Sequence, residues 1–121
     1  MSKTILIVED NELNIKLFED LLQAHGYKTL QTEDRDKAIP LAETHHPDLI
    51  LMDLNLPGAS GLEITKTIKA KDELKYIPII ALTAEVGNGV EDEIIKAGCD
   101  GYIAKPFSLP KFIKTVADHI D

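Results

Sequence analysis

The sequence predicts an α/β fold, a doubly wound (βα)5 arrangement around a parallel five-stranded sheet in the order 2-1-3-4-5. Three observations predict it. Short runs rich in Ile, Leu and Val recur at Thr4 to Val8, Leu49 to Met52 and Ile77 to Leu82, with weaker versions at Tyr27 to Thr32 and Gly101 to Ala104. The three strongest runs are continuous rather than alternating, as a parallel strand covered on both faces requires. Helical patterns fill the gaps, and five alternations with short connections favour right-handed crossovers and helices on both sides of the sheet.

The first strand is followed by a helix in which Leu13, Leu17 and Leu21 recur every four residues, with Ile15, Phe18 and Leu22 beside them and Gly26 as a stop. A second helix is expected near Asp36 to His45. Pro40 fits only a first helical turn, so this helix either starts late or kinks. A third is expected near Gly61 to Lys71, and a fourth near Val90 to Ala97, closed by Gly98. The last is the cleanest: Leu109, Phe112, Ile113, Val116, Ala117 and Ile120 form one apolar stripe, with Lys111, Lys114 and Asp118 outside it.

With 121 residues, the chain is expected to be one domain spanning residues 1–121 with no output domain attached, since two cores would each bury too little surface. The charged residues, 13 basic against 21 acidic, leave a net charge of -8, and Arg35 is the only arginine. Phosphate-backbone affinity needs clustered cations, so nucleic acid, acidic partners and anionic membranes are disfavoured. A lone cysteine, Cys99, forms no internal disulfide, and no apolar stretch reaches the roughly 18 residues of a membrane span. A cytoplasmic location without membrane insertion is the expectation.

Ligands of such sheets bind outside the carboxyl ends of the strands, where the strand order reverses. The first strand delivers Glu9 and Asp10 there, the third Asp53, the fourth Thr83 and the fifth Lys105. Order 2-1-3-4-5 makes the first and third strands neighbours, so three carboxylates are expected to converge. Like charges in one crevice call for a cation, and an all-oxygen set suits a hard ion such as Mg2+, with the Asn55 carbonyl in the following turn as a further ligand. A carboxylate beside a divalent metal, a lysine and a hydroxyl is equipped to accept a phosphoryl group, with Asp53 attacking in line to give an acyl phosphate. Each residue alone has a bland alternative as a cap or turn residue. All of them at strand ends in this order favour the chemistry.

Over its whole length the sequence resembles the receiver domain of two-component response regulators, a flavodoxin-like fold. The matching stretches are ILIVEDNELN (5–14), PDLILMDLNLPGASG (47–61), IPIIALTA (77–84) and GYIAKPF (101–107). Within that family, VEDNELN and DLILMDLNLPGASGLEITK look most like single-domain cell-division regulators. The resemblance implies a phosphorelay role: a histidine kinase or histidine phosphotransfer protein donates phosphate to Asp53. It also implies Mg2+ held by Asp10, Asp53 and the Asn55 carbonyl, with Glu9 acting through a metal-bound water. Thr83 and Lys105 would contact the phosphoryl oxygens, and Tyr102 would swing inward to signal the change to a downstream target protein. The chain would then be no enzyme beyond its own phosphorylation and dephosphorylation.

Two surfaces are expected to serve partners. The donor would dock over the start of the first helix (Asn14, Leu17) and the loop Pro106 to Phe107, and output would use the fourth helix, fifth strand and fifth helix. The stretch Glu85 to Gly89 departs from similar sequences by being polar and glycine-rich, which predicts a mobile loop. His25, His45, His46 and His119 read as solvent-facing rather than as metal ligands. Two rival classes remain at this point. A phosphohydrolase of the haloacid dehalogenase type needs a second Asp where Asn55 stands, and a receiver-like interaction module that has lost phosphorylation ordinarily lacks part of the acidic set or the lysine.

Overall fold

The computed structural model describes residues 2–54, 61–84, 89–105 and 108–120. Strands β1 (Thr4–Val8), β2 (Lys28–Thr32), β3 (Leu49–Asp53), β4 (Ile79–Thr83) and β5 (Gly101–Ala104) alternate with helices α1 (Glu12–Ala24), α2 (Ala38–His45), α3 (Gly61–Ala70), α4 (Val90–Ala97) and α5 (Leu109–Ile120). All neighbouring strands pair in parallel, in the order β2-β1-β3-β4-β5. This is the predicted topology.

The continuous apolar runs split by parity, because successive side chains of a strand point to opposite faces. Leu6, Val8, Ile50, Met52, Ile79 and Ala81 meet α2, α3 and α4 on one face. Ile5, Ile7, Leu49, Leu51, Ile80 and Leu82 meet α1 and α5 on the other, where the Phe18 and Phe112 rings stack at 5.0 Å between centroids and 9° between planes.

Several boundaries differ from the sequence reading by one or two residues, three of them instructive. The strand expected from Ile77 starts at Ile79; Ile77 is buried but closes a turn, its N–H donating to Leu74 O at 3.0 Å. The second helix starts late: a 3-10 turn at Arg35–Lys37 precedes it, so Pro40 is the third residue of α2, within the first turn where its missing N–H costs little. The third strand runs one residue further than expected and includes Asp53 itself. His119 is also not simply solvent-facing. It is half-buried, its ring nitrogens 2.8 Å from Thr115 O and 3.2 Å from Asp100 O, whereas His25, His45 and His46 are exposed.

The two ends of the sheet carry different acids. At the amino edge Asp48 accepts from Thr4 N–H at 2.8 Å, and Asp100 accepts from Ile79 N–H and Lys69 Nζ, both at 2.9 Å. These acids satisfy the starts of strands. The carboxyl edge holds the chemistry-bearing set.

Candidate functional site

Backbone bonds past the strand ends hold the carboxyl edge in register: Glu9 N–H donates to Thr32 O at 3.0 Å, Leu54 N–H to Leu82 O at 2.9 Å, and Lys105 N–H to Thr83 O at 2.7 Å. They place Glu9, Asp53, Thr83 and Lys105 side by side across four strands. Glu9, Asp53 and Thr83 are buried. At Gly61, the start of α3, a Cβ would stand 2.7 Å from Leu54 Cδ2 and 3.3 Å from Asp53 O, so glycine lets this helix close against the end of β3.

Lys105 Nζ lies 2.7 Å from Asp53 Oδ2 and 3.9 Å from Glu9 Oε2. The shorter contact is a charge-assisted hydrogen bond; the longer is an ion pair only. Glu9 Oε1 accepts from Asn11 N–H at 3.2 Å, while Oε2 is buried with no hydrogen-bond partner among the described residues. Burial first, and then the adjacent Asp53, as an acceptor for the protonated form and as a like charge, raise the Glu9 pKa from its ordinary value to about 7. Lys105 and the Asn11 amide offset only part of this.

The expected convergence of three carboxylates is met by two. Glu9 and Asp53 face each other, but Asp10 is exposed, and among the described residues no three His, Cys, Asp or Glu side chains form a metal-sized cluster. The reason is local: β1 ends at Val8, Glu9 turns inward and Asp10 outward at the mouth, and Lys105 already lies between the buried acids. A hard divalent cation still fits these donors. A buried carboxylate oxygen without a hydrogen bond, a second buried carboxylate and an exposed one at the rim form an oxygen-only set that favours Mg2+ over softer metals. Asn55, the remaining expected ligand, lies outside the described residues, as do Pro106, Phe107 and Glu85 to Asn88.

Tyr102, in the edge strand β5, is 39% exposed and so stands in the outward arrangement. Asn14 is half-buried rather than free at the surface; its Nδ2 is 3.5 Å from Glu9 Oε1, and its N–H is capped by Asn11 Oδ1 at 3.0 Å. Leu17 is surface-exposed. One charged residue escaped the sequence reading of the site. Arg35 is buried at this same edge, where burial lowers its pKa while Asp53, Asp10 and Asp36 oppose that shift. Its signal in the sequence was being the only arginine of the chain.

Comparison with known proteins places this geometry. The response regulator receiver domain profile matches residues 5–117. The polar-differentiation response regulator DivK of Brucella ovis is 52% identical over 120 residues, 99% of this chain and 98% of the relative. The chemotaxis protein CheY4 of Vibrio cholerae superposes with a TM-score of 0.92 at 27% identity, covering 98% of this chain and 99% of the other. The receiver domain of a Pseudomonas aeruginosa sensor histidine kinase, described with a magnesium ion coordinated in its active site cleft, gives 0.89 at 35% identity over 99% and 98% of the two chains. Fold, strand-end chemistry and sequence thus agree, and the chain belongs to the response regulator receiver domain family of two-component signalling.

Proposed function

We propose that Asp53 is the phosphoacceptor of this response regulator and that the whole chain acts as a single receiver unit. The observation that carries this is the buried Asp53 carboxylate, held at 2.7 Å by Lys105 at the carboxyl edge of the sheet. In the step proposed, an Asp53 oxygen attacks the phosphorus of a phosphohistidine on a kinase or phosphotransfer protein. The P–N bond breaks, its electron pair stays on the imidazole, which takes up a proton, and an acyl phosphate forms on Asp53. Lys105 holds the carboxylate and then offsets the non-bridging oxygens, and the Thr83 hydroxyl, at the end of β4, donates to them.

Mg2+, when bound, neutralises phosphoryl charge; Glu9, Asp10, Asp53 and the Asn55 carbonyl are the groups that would hold it. Phosphoryl charge and acceptors favour the conformer in which Thr83 turns inward and Tyr102 follows. The chain then acts on no separate substrate, and it works in the cytoplasm by contacting a target protein.

The donor docks over the start of α1, with Asn14 and the exposed Leu17, and the loop of Pro106 and Phe107. Output uses the face of α4, β5 and α5, which carries exposed Ile95 and Tyr102. The intact acidic pair, Asp53 and Lys105 disfavour a receiver that has lost phosphorylation. Incubation with acetyl phosphate and Mg2+ followed by intact mass tests the reading. One added phosphate, absent in Asp53→Asn, is expected; no gain contradicts it.

A further inference from the structure

The acidic edge is enclosed by a cation on each side. Lys105 arrives from β5; Arg35 arrives from beyond β2, where it opens the 3-10 turn and is only 4% exposed. That turn packs against α2 and α3, and the first residue of α3 closes on the backbone of Asp53. On its other side β1 leaves the sheet, tied to β2 by the bond from Glu9 N–H to Thr32 O. Arg35 is therefore buried just past the carboxyl end of β2, which is tied to the end of β1 that delivers the Glu9–Asp10 pair, and its turn packs on the helix that closes against Asp53. Among the acids that attract its guanidinium, Asp53 is the strongest, followed by Asp10 and Asp36. A guanidinium does not lose its proton in proteins, so its burial here installs a fixed positive charge, retained because nearby anions offset its lost hydration.

On the phosphoacceptor reading above, we propose that Arg35 is a built-in counter-ion of the acidic edge: it weakens Mg2+ binding to the unphosphorylated chain and balances the added charge once Asp53 carries a phosphoryl group. A fixed positive charge at this edge acts in opposite directions on the two ligands. It repels a divalent cation from the unphosphorylated carboxylates, Asp53 first among those it attracts. An aspartyl phosphate adds about one further negative charge in place of the plain carboxylate. Arg35 attracts that added charge, so it favours the loaded, phosphorylated site.

Arg35 is the chain's only arginine, so arginine-selective 15N labelling gives a single Nε–Hε resonance. In a Mg2+ titration that resonance is expected to shift with the same midpoint as the Asp10 and Asp53 amides. Arg35→Gln is expected to bind Mg2+ alone about tenfold tighter, and beryllofluoride, a phosphoryl mimic, about tenfold more weakly at saturating Mg2+. Arg35→Lys should stay near the parent in both. Opposite signs for the two ligands support the inference. A common loss of both, as a purely structural role would give, or no change in either, overturns it. Where Arg35→Gln does not fold, the parent decides: an Nε–Hε resonance unmoved while the Asp53 amide shifts overturns it. No Mg2+-dependent shift of any amide overturns the metal reading itself, and this inference with it.

Discussion

Lys105 Nζ stands 2.7 Å from Asp53 Oδ2 and reaches toward Glu9 Oε2 at 3.9 Å, so one partly exposed ammonium offsets two buried carboxylates. Removing it leaves the acids facing each other without their nearest counter-ion. Lys105→Met is expected to lower stability in EDTA by about 1–3 kcal/mol, below the full cost of breaking a buried pair because the lysine is partly solvated. Urea denaturation in EDTA and in Mg2+ checks this: the loss should shrink in Mg2+, and an equal loss in both would contradict it.

The pKa of Glu9, about 7 in the folded chain against 4.5 for an ordinary glutamate, gives the metal-free protein a defined pH dependence. A raised folded pKa means that the native state holds the proton more tightly than the unfolded chain. Its stabilising effect is complete below about pH 4.5, fades as pH rises through that interval, and is lost above about pH 7. Denaturation in EDTA across this interval should show stability falling with pH. Glu9→Gln should flatten that fall and be the more stable protein above about pH 7, by about 1–3 kcal/mol.

Thr83 ends β4, and the register pairs it with Ala104, two residues beyond the outward Tyr102 of β5. Thr83→Val keeps the shape of this buried side chain and removes the hydroxyl. Phosphorylation of Asp53, read by mass, should persist. The change in Tyr102 on addition of beryllofluoride and Mg2+, read by NMR of its ring protons, should be lost; an unchanged Tyr102 response would show that Thr83 does not carry the switch.

Phe112 stacks on Phe18 at 5.0 Å and is fully buried beneath the β1, β3, β4 and β5 side chains. Phe112→Ala should lower stability by about 3–5 kcal/mol, through lost burial and the cavity left behind. Chemical denaturation checks the value, and a cost under about 1 kcal/mol would mean that the two-helix face is not packed as described.

Topology was legible because every central strand is apolar on both faces, which only a sheet sandwiched by helices satisfies. Pro40 left the second helix either a late start or a kink, and the 3-10 turn at Arg35–Lys37 provides the late start. The positions of Glu9, Asp53, Thr83 and Lys105 followed from strand ends and strand order alone. Asp10 and Arg35 did not follow. The direction a side chain takes one or two residues past a strand is set by the loop rather than by the strand's alternation, which leaves Asp10 at solvent. Arginine is rarely buried unless anions face it. That Asp53 and Asp10 come close enough to attract Arg35 depends on three segments meeting, which no local pattern encodes.

The measurement that bears most directly on the central claim is borohydride trapping of the phosphorylated chain. An acyl phosphate on aspartate is reduced to homoserine, whereas a phosphohistidine and free carboxylates are left intact. After incubation with acetyl phosphate and Mg2+, peptide mass analysis should find homoserine at position 53 and at no other acidic position. Homoserine at position 10, or phosphate that survives the reduction on a histidine, would contradict the account.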